Sequence, residues 1–399
     1  MKITKIDVFR VDDPSNTNWH PVLCRVYTDN GLYGDGEAAV AYGIGSTGAF
    51  GMVQDLAKLV IGMDPLDTEV VWQKLYRKTF WGQNGGSIVT AGISAIDLAL
   101  WDIKGKFFNV PVYKLLGGKQ NDNLRTYASQ LQFGWTKEMG AMFKTSDYVA
   151  AAKRALAEGY TAIKIDFFTF RPEGGTYTDK ERTTLISPDI LAQVVERVKA
   201  VREAVGDKTD IIIENHSFLD AQSAVQLAAA VEQYNIFYYE EPNTPDPQTA
   251  SYISSKIHIP IANGERIYTR WQYKHYFQDN TLQIAQPDLG TCGGITEVKK
   301  ICDMAYAYDV AIQIHACGSP ICTAASLQVE AAIPNFIIHE HHQANLCDFN
   351  IKLCKYDYQP VQGKFKVPDL PGLGNELSDY VLKESPKVTI EGDNAFWSM

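Results

Sequence analysis

The segment IIIENHSF, residues 211–218, places three isoleucines directly before a glutamate, an asparagine and a histidine. A short apolar run of this kind is typical of a β-strand buried on both faces, so the charged residues mark the point where the strand leaves the core. Similar segments follow one another from Tyr127, separated by helix-length stretches such as DAQSAVQLAAAVEQY. The eight predicted strands are YASQLQFG, TAIKIDFF, DIIIENH, NIFYYEEP, IPIANGE, TLQIAQPD, VAIQIHAC and FIIHEHH. This alternation indicates an α/β fold built on a parallel (β/α) barrel.

Ionisable residues stand at the ends of these strands. From Glu214 to Glu340 one recurs every 23 to 27 residues, which is the length of one β/α unit. We therefore expect them at one level of the barrel, at the carboxyl ends of the strands, where the active sites of such barrels lie. Residues two apart on a strand share a face, so such pairs can both point into the barrel mouth. The residues in chain order are Lys164, Asp166, Glu214, His216, Glu240, Glu265, Asp288, His315 and Glu340.

Three carboxylates on consecutive strands predict a metal site. Glu214, Glu240 and Glu265 would bring three negative charges close together, which is strongly repulsive without a cation. Oxygen ligands suit a hard divalent ion, and Mg²⁺ fits because it accepts few protein ligands together with substrate oxygens and water. Glu241 follows Glu240 directly and must face the other way, so we take Glu240 as the ligand and Glu241 as a supporting group.

Asp288 and His315 are predicted to lie on neighbouring strands at the same depth. A carboxylate in that position orients an imidazole and stabilises its charge, which makes the pair a candidate general base. The stretch HEHH, residues 339–342, surrounds Glu340 with histidines. Consecutive strand residues point to opposite faces and cannot all converge, so we expect no second metal site there.

The composition excludes several classes of partner. The 399-residue chain has a net charge of −10 and no cluster of Lys and Arg, whereas nucleic-acid binding needs a concentrated basic face. No apolar run is long enough to cross a bilayer, and the N-terminus MKITKIDVFRV lacks the apolar block of a signal peptide. We therefore predict a cytoplasmic protein without a membrane partner. The seven cysteines form no C-x-x-C pair and are interpreted as reduced structural thiols.

The length of the chain favours a large barrel with an appendage, or two domains, over one compact unit. Helical stretches are predicted over residues 52–80 and 87–108. The second carries several small residues, which permit close packing and indicate a domain junction. The predicted division is residues 1–125 for a small α+β domain, 126–350 for the barrel, and 351–399 for a C-terminal segment that packs back on the first domain.

In combination, these motifs resemble the enolase superfamily, and within it the mandelate racemase subgroup and acid-sugar dehydratases of the galactonate dehydratase type. The segment GISAIDLALWDIKGKFFNVPVYKLLGG is similar to the part of that subgroup that joins a capping domain to the barrel. YYEEP, GER, QPD and IHACGSP resemble its strand-end motifs. The resemblance covers nearly the whole chain. It implies a (β/α)7β-type modified TIM barrel with an N-terminal α+β capping domain, one Mg²⁺ per subunit and a homo-oligomer.

The resemblance also implies a role for each strand-end residue. The three glutamates would hold Mg²⁺, which would bind the carboxylate of a small anionic sugar acid, and Lys164 would help to neutralise it. His315, oriented by Asp288, would remove the proton from the carbon next to that carboxylate. Mg²⁺, Lys164 and Glu340 would stabilise the resulting enediolate, with Glu340 donating a hydrogen bond in its protonated form.

His216 distinguishes between possible reactions. Racemisation needs an acid or base on each face of the carbon, and the K-x-K motif that racemases use for this is Lys164-Ile165-Asp166 here. Dehydration needs an acid for the leaving hydroxyl, and Glu214-Asn215-His216 resembles the sugar-acid dehydratases in this respect. The leading hypothesis is a Mg²⁺-dependent dehydratase that converts an aldonate-type acid to a 2-keto-3-deoxy acid by syn or anti β-elimination. The alternatives are a racemase or epimerase of a 2-hydroxy acid, and a catalytically weak, metabolite-binding regulatory homologue.

Asp166 departs from the family pattern, which resembles K-x-N in galactonate dehydratases and R-x-Q in mannonate dehydratases. The carboxylate either pairs with Lys164, which would lower the net positive charge beside the substrate, or binds a substrate hydroxyl. The resemblance also places a substrate-covering loop of the capping domain near residues 19–42. The residues predicted to contact the substrate are Trp19, His20, Tyr42, Trp81 and Arg266.

Overall fold

The computed structural model describes residues 1–13 and 15–392 of the chain. Residues 393–399, which include the terminal segment NAFWSM, lie outside the described range. The end of the predicted C-terminal segment therefore falls beyond the part that is described below.

The chain begins with an antiparallel sheet in which β1 (Ile3–Arg10), β2 (Val22–Thr28) and β3 (Tyr33–Ala38) are neighbours in sequence order. Strands β2 and β3 are joined by a tight turn. Gly31 adopts a φ of 86° in this turn, a left-handed conformation that glycine takes without steric cost. The sheet covers one side of a helical layer and buries apolar residues such as Ile6 and Val8 against it.

The helical layer differs from the prediction in one place. The helical stretch predicted over residues 52–80 is two helices, α1 (Ser46–Val60) and α2 (Thr68–Lys78). The break between them contains Gly62, whose φ is 85°, and Pro65, which has no N–H for a helical hydrogen bond. The next helices are α3 (Ser87–Phe108), with the predicted bounds, and the short α4 (Val112–Leu115).

Helix α3 lies at the junction predicted from its small residues. On one side it packs so closely on β3 that a Cβ added at Gly34 would lie 2.0 Å from the Ala99 carbonyl oxygen, and one at Gly36 1.9 Å from that of Ala95. On the other side it contacts the barrel, where the Asp97 carboxylate accepts the backbone N–H of Thr296 at 3.0 Å. The helix therefore joins the two parts of the molecule.

The barrel alternates strands with helices as predicted, and an additional short helix, α6 (Asp179–Thr183), lies in the loop after its second strand. The strands are β4 (Asn123–Ser129), β5 (Ala162–Ile165), β6 (Asp210–Glu214), β7 (Ile236–Glu240), β8 (Ile261–Asn263), β9 (Ile284–Ala285), β10 (Ala311–Ile312) and β11 (His339–His342). The helices are α5 (Thr145–Ala157), α6 (Asp179–Thr183), α7 (Pro188–Val205), α8 (Ala221–Val231), α9 (Pro247–Ser254), α10 (Thr269–Gln278), α11 (Gly294–Ala307) and α12 (Pro320–Ala332). Single turns of 3₁₀ helix occur at Leu131–Phe133, Glu232–Tyr234 and Gln343–Leu346.

The eight strands are parallel and follow one another in the order β4 to β10, with β11 on the other side of β4. A bridge between Ile312 and Phe336 brings the chain just before β11 against β10 and closes the ring. The strand β11 leads into a 3₁₀ turn instead of an eighth barrel helix within the described chain. The architecture is therefore the (β/α)7β barrel that the resemblance implied.

The later barrel strands are shorter than the sequence predicted, with three residues in β8 and two each in β9 and β10. The first strand is shifted as well, because β4 starts at Asn123 and its predicted end forms the 3₁₀ turn Leu131–Phe133. The difference arises because ladder hydrogen bonds stop before the chain turns over the barrel mouth. Glu265, Asp288 and His315 consequently lie just beyond the ends of their strands.

The last described residues return to both parts of the fold. They contain α13 (Asp348–Ile351), β12 (Lys364–Lys366), α14 (Asp379–Glu384) and β13 (Lys387–Glu391). Strand β12 pairs antiparallel with β4, and β13 pairs antiparallel with β1 at the edge of the first sheet. The described helices include none that is both long and apolar enough to span a bilayer. All seven cysteines are unpaired, as predicted.

Candidate active site

Three glutamates from neighbouring strands meet at the mouth of the barrel. Glu214 ends β6 and stands in register with Glu240 at the end of β7, while Glu265 follows β8 by two residues. One carboxylate oxygen from each lies within 4.8 Å of the other two. Glu214 and Glu240 are buried and Glu265 is partly buried. The carboxylates predicted to converge therefore do so, and Glu241 is not part of the cluster.

Lys164 supplies a buried positive charge to this cluster. Its Nζ lies 3.1 Å from Glu214 Oε2 and 2.9 Å from Glu340 Oε1, and it also pairs with Glu240 Oε1. The other oxygen of Glu240, Oε2, is buried without a hydrogen-bond partner. Burial and the charge of Glu214 raise the pKa of Glu240 well above its ordinary value. Oxygen donors with an unpartnered buried oxygen among them fit a hard divalent cation.

Asp166 pairs with a histidine and not with Lys164, so the alternative in which it neutralises that lysine is wrong. Its Oδ2 lies 2.7 Å from His216 Nδ1, and its Oδ1 accepts the backbone N–H of Phe168 at 2.8 Å. The ammonium group of a lysine has three N–H donors, and three glutamates already surround that of Lys164. Asp166 is thereby left to orient the imidazole.

His216 lies beyond the end of β6, where the backbone leaves the strand. Its φ is 46° and that of Ser217 is 64°, both in the left-handed region that non-glycine residues rarely adopt. Its backbone N–H donates to Glu214 Oε1 at 2.7 Å, which ties the turn to the glutamate cluster. Burial would lower the pKa of His216, but the charges of Glu214 and Asp166 outweigh it and raise that pKa to about 10. The ring is therefore held as a proton donor.

His315 forms a second histidine and aspartate pair on the opposite side of the glutamates. Its Nδ1 lies 2.7 Å from Asp288 Oδ2, and a backbone bridge joins the two residues. Its Nε2 faces the cluster at 2.9 Å from Glu265 Oε2. Burial opposes a charge on this ring, but Glu265 and Asp288 raise the pKa of His315 well above its ordinary value. The predicted geometry of neighbouring strands at equal depth is confirmed for this pair.

Glu340 differs from the expectation of a protonated hydrogen-bond donor. Its carboxylate accepts from the Ser129 hydroxyl at 2.6 Å and from the backbone N–H of Ala316 at 3.1 Å, beside the ammonium of Lys164. Burial would raise the pKa of Glu340, but Lys164 and His315 lower it well below its ordinary value. Because the groups around it are donors and cations, this arrangement favours the ionised carboxylate. The protonated donor was predicted for the site with the enediolate bound, and that role stays a prediction.

The histidines beside Glu340 diverge, because alternate strand residues face opposite sides. His339 Nδ1 lies 2.6 Å from Glu330 Oε2 on α12, and His341 Nδ1 lies 2.6 Å from the Tyr160 hydroxyl. Both side chains therefore belong to the packing between the barrel and its helices. His342 instead shares the inner face with Glu340.

Arg266 is held by acidic groups of the site. Its guanidinium pairs with Glu265 and with Glu241, whose side chain is fully buried. Glu241 has a φ of 45° and therefore turns away from the cluster immediately after Glu240. Glu241 thus lies behind the cluster, where it holds Arg266 against Glu265.

The four capping-domain residues predicted to contact substrate lie in two different environments. Trp19 is buried against Phe349, with ring centroids 5.8 Å apart, and His20 is tied to Asp12 at 2.7 Å. Tyr42 and Trp81 are exposed by 69% and 90%. Trp19 and Tyr42 are joined by an antiparallel backbone bridge, so the two loops that carry them lie side by side.

Several polar residues at the site were not found from the sequence. Gln130 follows β4 and brings its Nε2 within 3.3 Å of His216 Nε2, and Gln132 donates to Gln130. Cys317 and His342 lie 3.6 Å apart on the inner face above His315 and Glu340. The glutamines gave no signal because an amide after an apolar strand has no distinctive spacing. The two-residue step would also have indicated His342, which follows Glu340 within β11, but not Cys317, which lies in the loop beyond β10.

Comparisons with known proteins agree with this geometry. A model of the mandelate racemase / muconate lactonizing enzyme N-terminal domain matches residues 11–117, and a model described as enolase C-terminal domain-like matches residues 147–381. A D-galactonate dehydratase of Ralstonia nicotianae is 32% identical, over 100% of this chain and 97% of the relative. A D-xylonate dehydratase of Haloferax volcanii is also 32% identical, over 99% and 90%. A solved structure of a member of the enolase superfamily from Salmonella Typhimurium is 46% identical, with a TM-score of 0.94 and coverage of 98% and 100%.

Proposed function

The chain belongs to the mandelate racemase / muconate lactonizing enzyme family, and we propose that it is a Mg²⁺-dependent dehydratase of an aldonate-type sugar acid. Its enzyme class is that of hydro-lyases, in line with its full-length dehydratase relatives. The observation that carries the proposal is the pair of histidine and aspartate dyads on two sides of one glutamate cluster. β-Elimination needs both a base for the α-proton and an acid for the leaving hydroxyl.

Glu214, Glu240 and Glu265 would hold the metal ion. Bound there, Mg²⁺ would supply Lewis-acid stabilisation of the charge that develops on the substrate carboxylate. Lys164 contacts two of the three ligands and Glu340, so its charge would act on the same carboxylate group. A cation held by these oxygens would also reduce the negative potential that now keeps His315 protonated.

His315 would remove the α-proton through Nε2. Asp288 accepts from Nδ1 at 2.7 Å, which fixes the tautomer in which Nε2 carries the free lone pair once the ring is neutral. The electron pair of the broken C–H bond would first be delocalised onto the carboxylate oxygens as an enediolate, and would then form the double bond between the α- and β-carbons as the β-hydroxyl leaves. Lys164 would stabilise the negative charge that develops on the carboxylate oxygens during this step.

His216 would protonate the leaving hydroxyl, so that it departs as water. Asp166 holds the ring through Nδ1, which leaves the Nε2 proton available for transfer. The enol that remains after loss of water takes up a proton at the β-carbon, loses the proton of its hydroxyl and becomes the 2-keto-3-deoxy acid. The dyad of His315 and Asp288 would thus act as the base, and the dyad of His216 and Asp166 would act as the acid.

The named substrates of the relatives define the first panel to be tested, which contains D-galactonate and D-xylonate, together with other aldonates and aldarates. We expect purified protein to release a 2-keto acid from an aldonate, measured as its semicarbazone, and to stop after chelation of the metal. Release that resumes with Mg²⁺ supports the proposal. An enzyme that exchanges the α-proton and racemises every acid without releasing a keto acid would refute it.

A matched pair of variants tests the metal ligands separately from the chemistry. Glu240→Gln removes a carboxylate of the cluster, so we expect it to abolish the Mg²⁺-dependent rise in melting temperature together with activity. Glu241→Gln alters the neighbouring residue, which faces Arg266, and we expect it to keep a Mg²⁺-dependent rise. A rise that survives in the first variant and is lost in the second would reverse the assignment. A cytoplasmic location, a homo-oligomeric state and the absence of nucleic-acid or membrane partners stay predictions.

A further inference from the structure

We propose that His342 and Cys317 form a subsite that binds a neutral hydroxyl of the sugar acid, beyond its reacting carbons. The inference rests on the proposed function, because it places one more contact around the same substrate. It identifies His342 Nε2 as the donor, and it predicts that an aldonate chain, with hydroxyls along its length, is preferred over a chain that lacks one of them.

The two residues stand one step nearer the barrel mouth than the reacting groups. His342 follows Glu340 by two residues within β11 and therefore shares its inner face, whereas Cys317 lies in the loop beyond β10, two residues after His315. The distance from Cys317 Sγ to His342 Nε2 is 3.6 Å. The pair therefore lies above the position at which the α-carbon must sit to reach His315.

The tautomer of His342 is set by the backbone. The N–H of Ala344 donates to His342 Nδ1 at 3.0 Å, so Nδ1 has no proton and Nε2 carries one in the neutral ring. Burial, together with the cationic His315 and Lys164, lowers the pKa of His342 to about 4 against the opposing effect of Glu340. The ring is consequently an uncharged N–H donor, which suits a hydroxyl and offers no charge to a second carboxylate.

The Cys317 thiol, the present partner of His342 Nε2, is a weak acceptor. Sulfur accepts hydrogen bonds poorly, so exchanging the Cys317 thiol for a hydroxyl oxygen costs little and gains a stronger hydrogen bond. A second donor of the same region is also unsatisfied, because Trp19 Nε1 is buried without a partner. Trp19, Ala344 and Cys317 belong to one packed cluster, which brings the capping-domain loop over the pair. A buried donor without a good acceptor needs a partner, which water or a polar group of a ligand can supply.

Two substitutions at His342 separate a binding role from a structural one. His342→Leu removes the donor, whereas His342→Gln retains an N–H₂ group. The substrates are the aldonate of the panel with the highest kcat/KM and its 4-deoxy and 5-deoxy analogues. We expect the unmodified enzyme to use one deoxy analogue 10- to 100-fold less well than the parent acid, at about 1.4 kcal/mol per factor of ten.

In His342→Leu, kcat/KM for the parent acid should fall by a similar factor while that for this deoxy analogue hardly changes, and His342→Gln should recover part of the loss. An equal fall for the parent acid and both analogues would mean a structural role and overturn the proposal. The comparison uses ratios within each variant, so a loss of folded protein does not imitate the expected result.

A measurement that needs no turnover keeps failure of the subsite distinct from failure of the proposed function. Cys317 is partly exposed, whereas the other six cysteines are buried. Its alkylation by iodoacetamide can therefore be followed by mass spectrometry, with Cys317→Ser as the control for labelling elsewhere. With Mg²⁺ present, D-galactonate or D-xylonate should slow the alkylation at least several-fold. The proposal is overturned if the alkylation rate of Cys317 is unchanged in the presence of an acid that the enzyme turns over. If no acid is turned over, it is overturned when no acid of the panel changes that rate.

Discussion

Replacing Asp166 by asparagine tests whether the two histidines have separate duties. The Asp166 carboxylate lies 2.7 Å from His216 Nδ1 and makes no contact with the His315 and Asp288 pair. Asparagine has the same shape but no charge. Its amide oxygen can still accept a hydrogen bond from the Nδ1–H group of His216, but it no longer stabilises the imidazolium charge. We therefore expect protonation of the leaving hydroxyl to slow while removal of the α-proton continues.

The size of the effect follows from the bond that is weakened. A hydrogen bond to a charged group contributes about 1.5–3 kcal/mol to stability, which corresponds to roughly a 10- to 150-fold change in rate. The His216 side chain is 25% exposed, so solvent screens part of this interaction and the lower half of the range is expected. The remaining contact of the ring, with the uncharged Gln130 amide at 3.3 Å, cannot replace the carboxylate.

The assay follows both steps with one substrate in D₂O. Keto-acid release reports dehydration, and incorporation of deuterium into recovered substrate reports removal of the α-proton. Asp166→Asn should lower keto-acid release about 10- to 50-fold and raise the ratio of exchange to release. Asp288→Asn is the matched control, because it alters the other dyad and should depress exchange and release together. If Asp166→Asn depresses both steps equally, or neither, the division of duties is wrong.

Two further predictions concern the fold. Burial raises the pKa of Asp97 to about 7, so the charged form of this side chain opposes folding. The free energy of unfolding is therefore highest below about pH 4, where Asp97 is neutral in both states, and it falls as the pH rises to 7. Relative to the parent, Asp97→Asn should therefore gain about 3 kcal/mol of unfolding free energy between pH 5 and pH 8 in urea titrations, and a difference that is constant with pH would contradict this. Gly36→Ala places a Cβ 1.9 Å from the Ala95 carbonyl oxygen, so we expect a loss of about 2 kcal/mol or more and a lower melting temperature, whereas Gly51→Ala, at a site with open space, should have no such effect.

The strand-end carboxylates could be identified from the sequence because one physical rule governs them. Repeat length sets the height of a residue in a parallel barrel, so Glu214 and Glu240 had to stand in register, and they do. The same rule placed His315 beside Asp288. It could not locate the ends of the ladders, and the short strands β8, β9 and β10 differ from the prediction for that reason.

Partners among the charged groups could not be assigned in the same way. Asp166 was expected beside Lys164 or a substrate hydroxyl, and Glu340 was expected to be protonated. The choice depends on distances between side chains of different strands and on the left-handed turn at His216, neither of which is encoded by spacing. The ammonium group of Lys164 already pairs with three glutamates. Asp166 therefore pairs with the imidazole of His216 instead.

By itself, the sequence determined a parallel (β/α) barrel, the level at which its charged residues stand and the three carboxylates that converge there, because hydrophobic period and repeat length act along the chain. The (β/α)7β form was implied by the family resemblance. Only the tertiary structure decided which acid holds which base, the ionised state favoured for Glu340, and the approach of Cys317 to His342 beneath the capping loop. These depend on the distances, burial and summed charge of groups far apart in the chain, and such properties exist only once the barrel has closed.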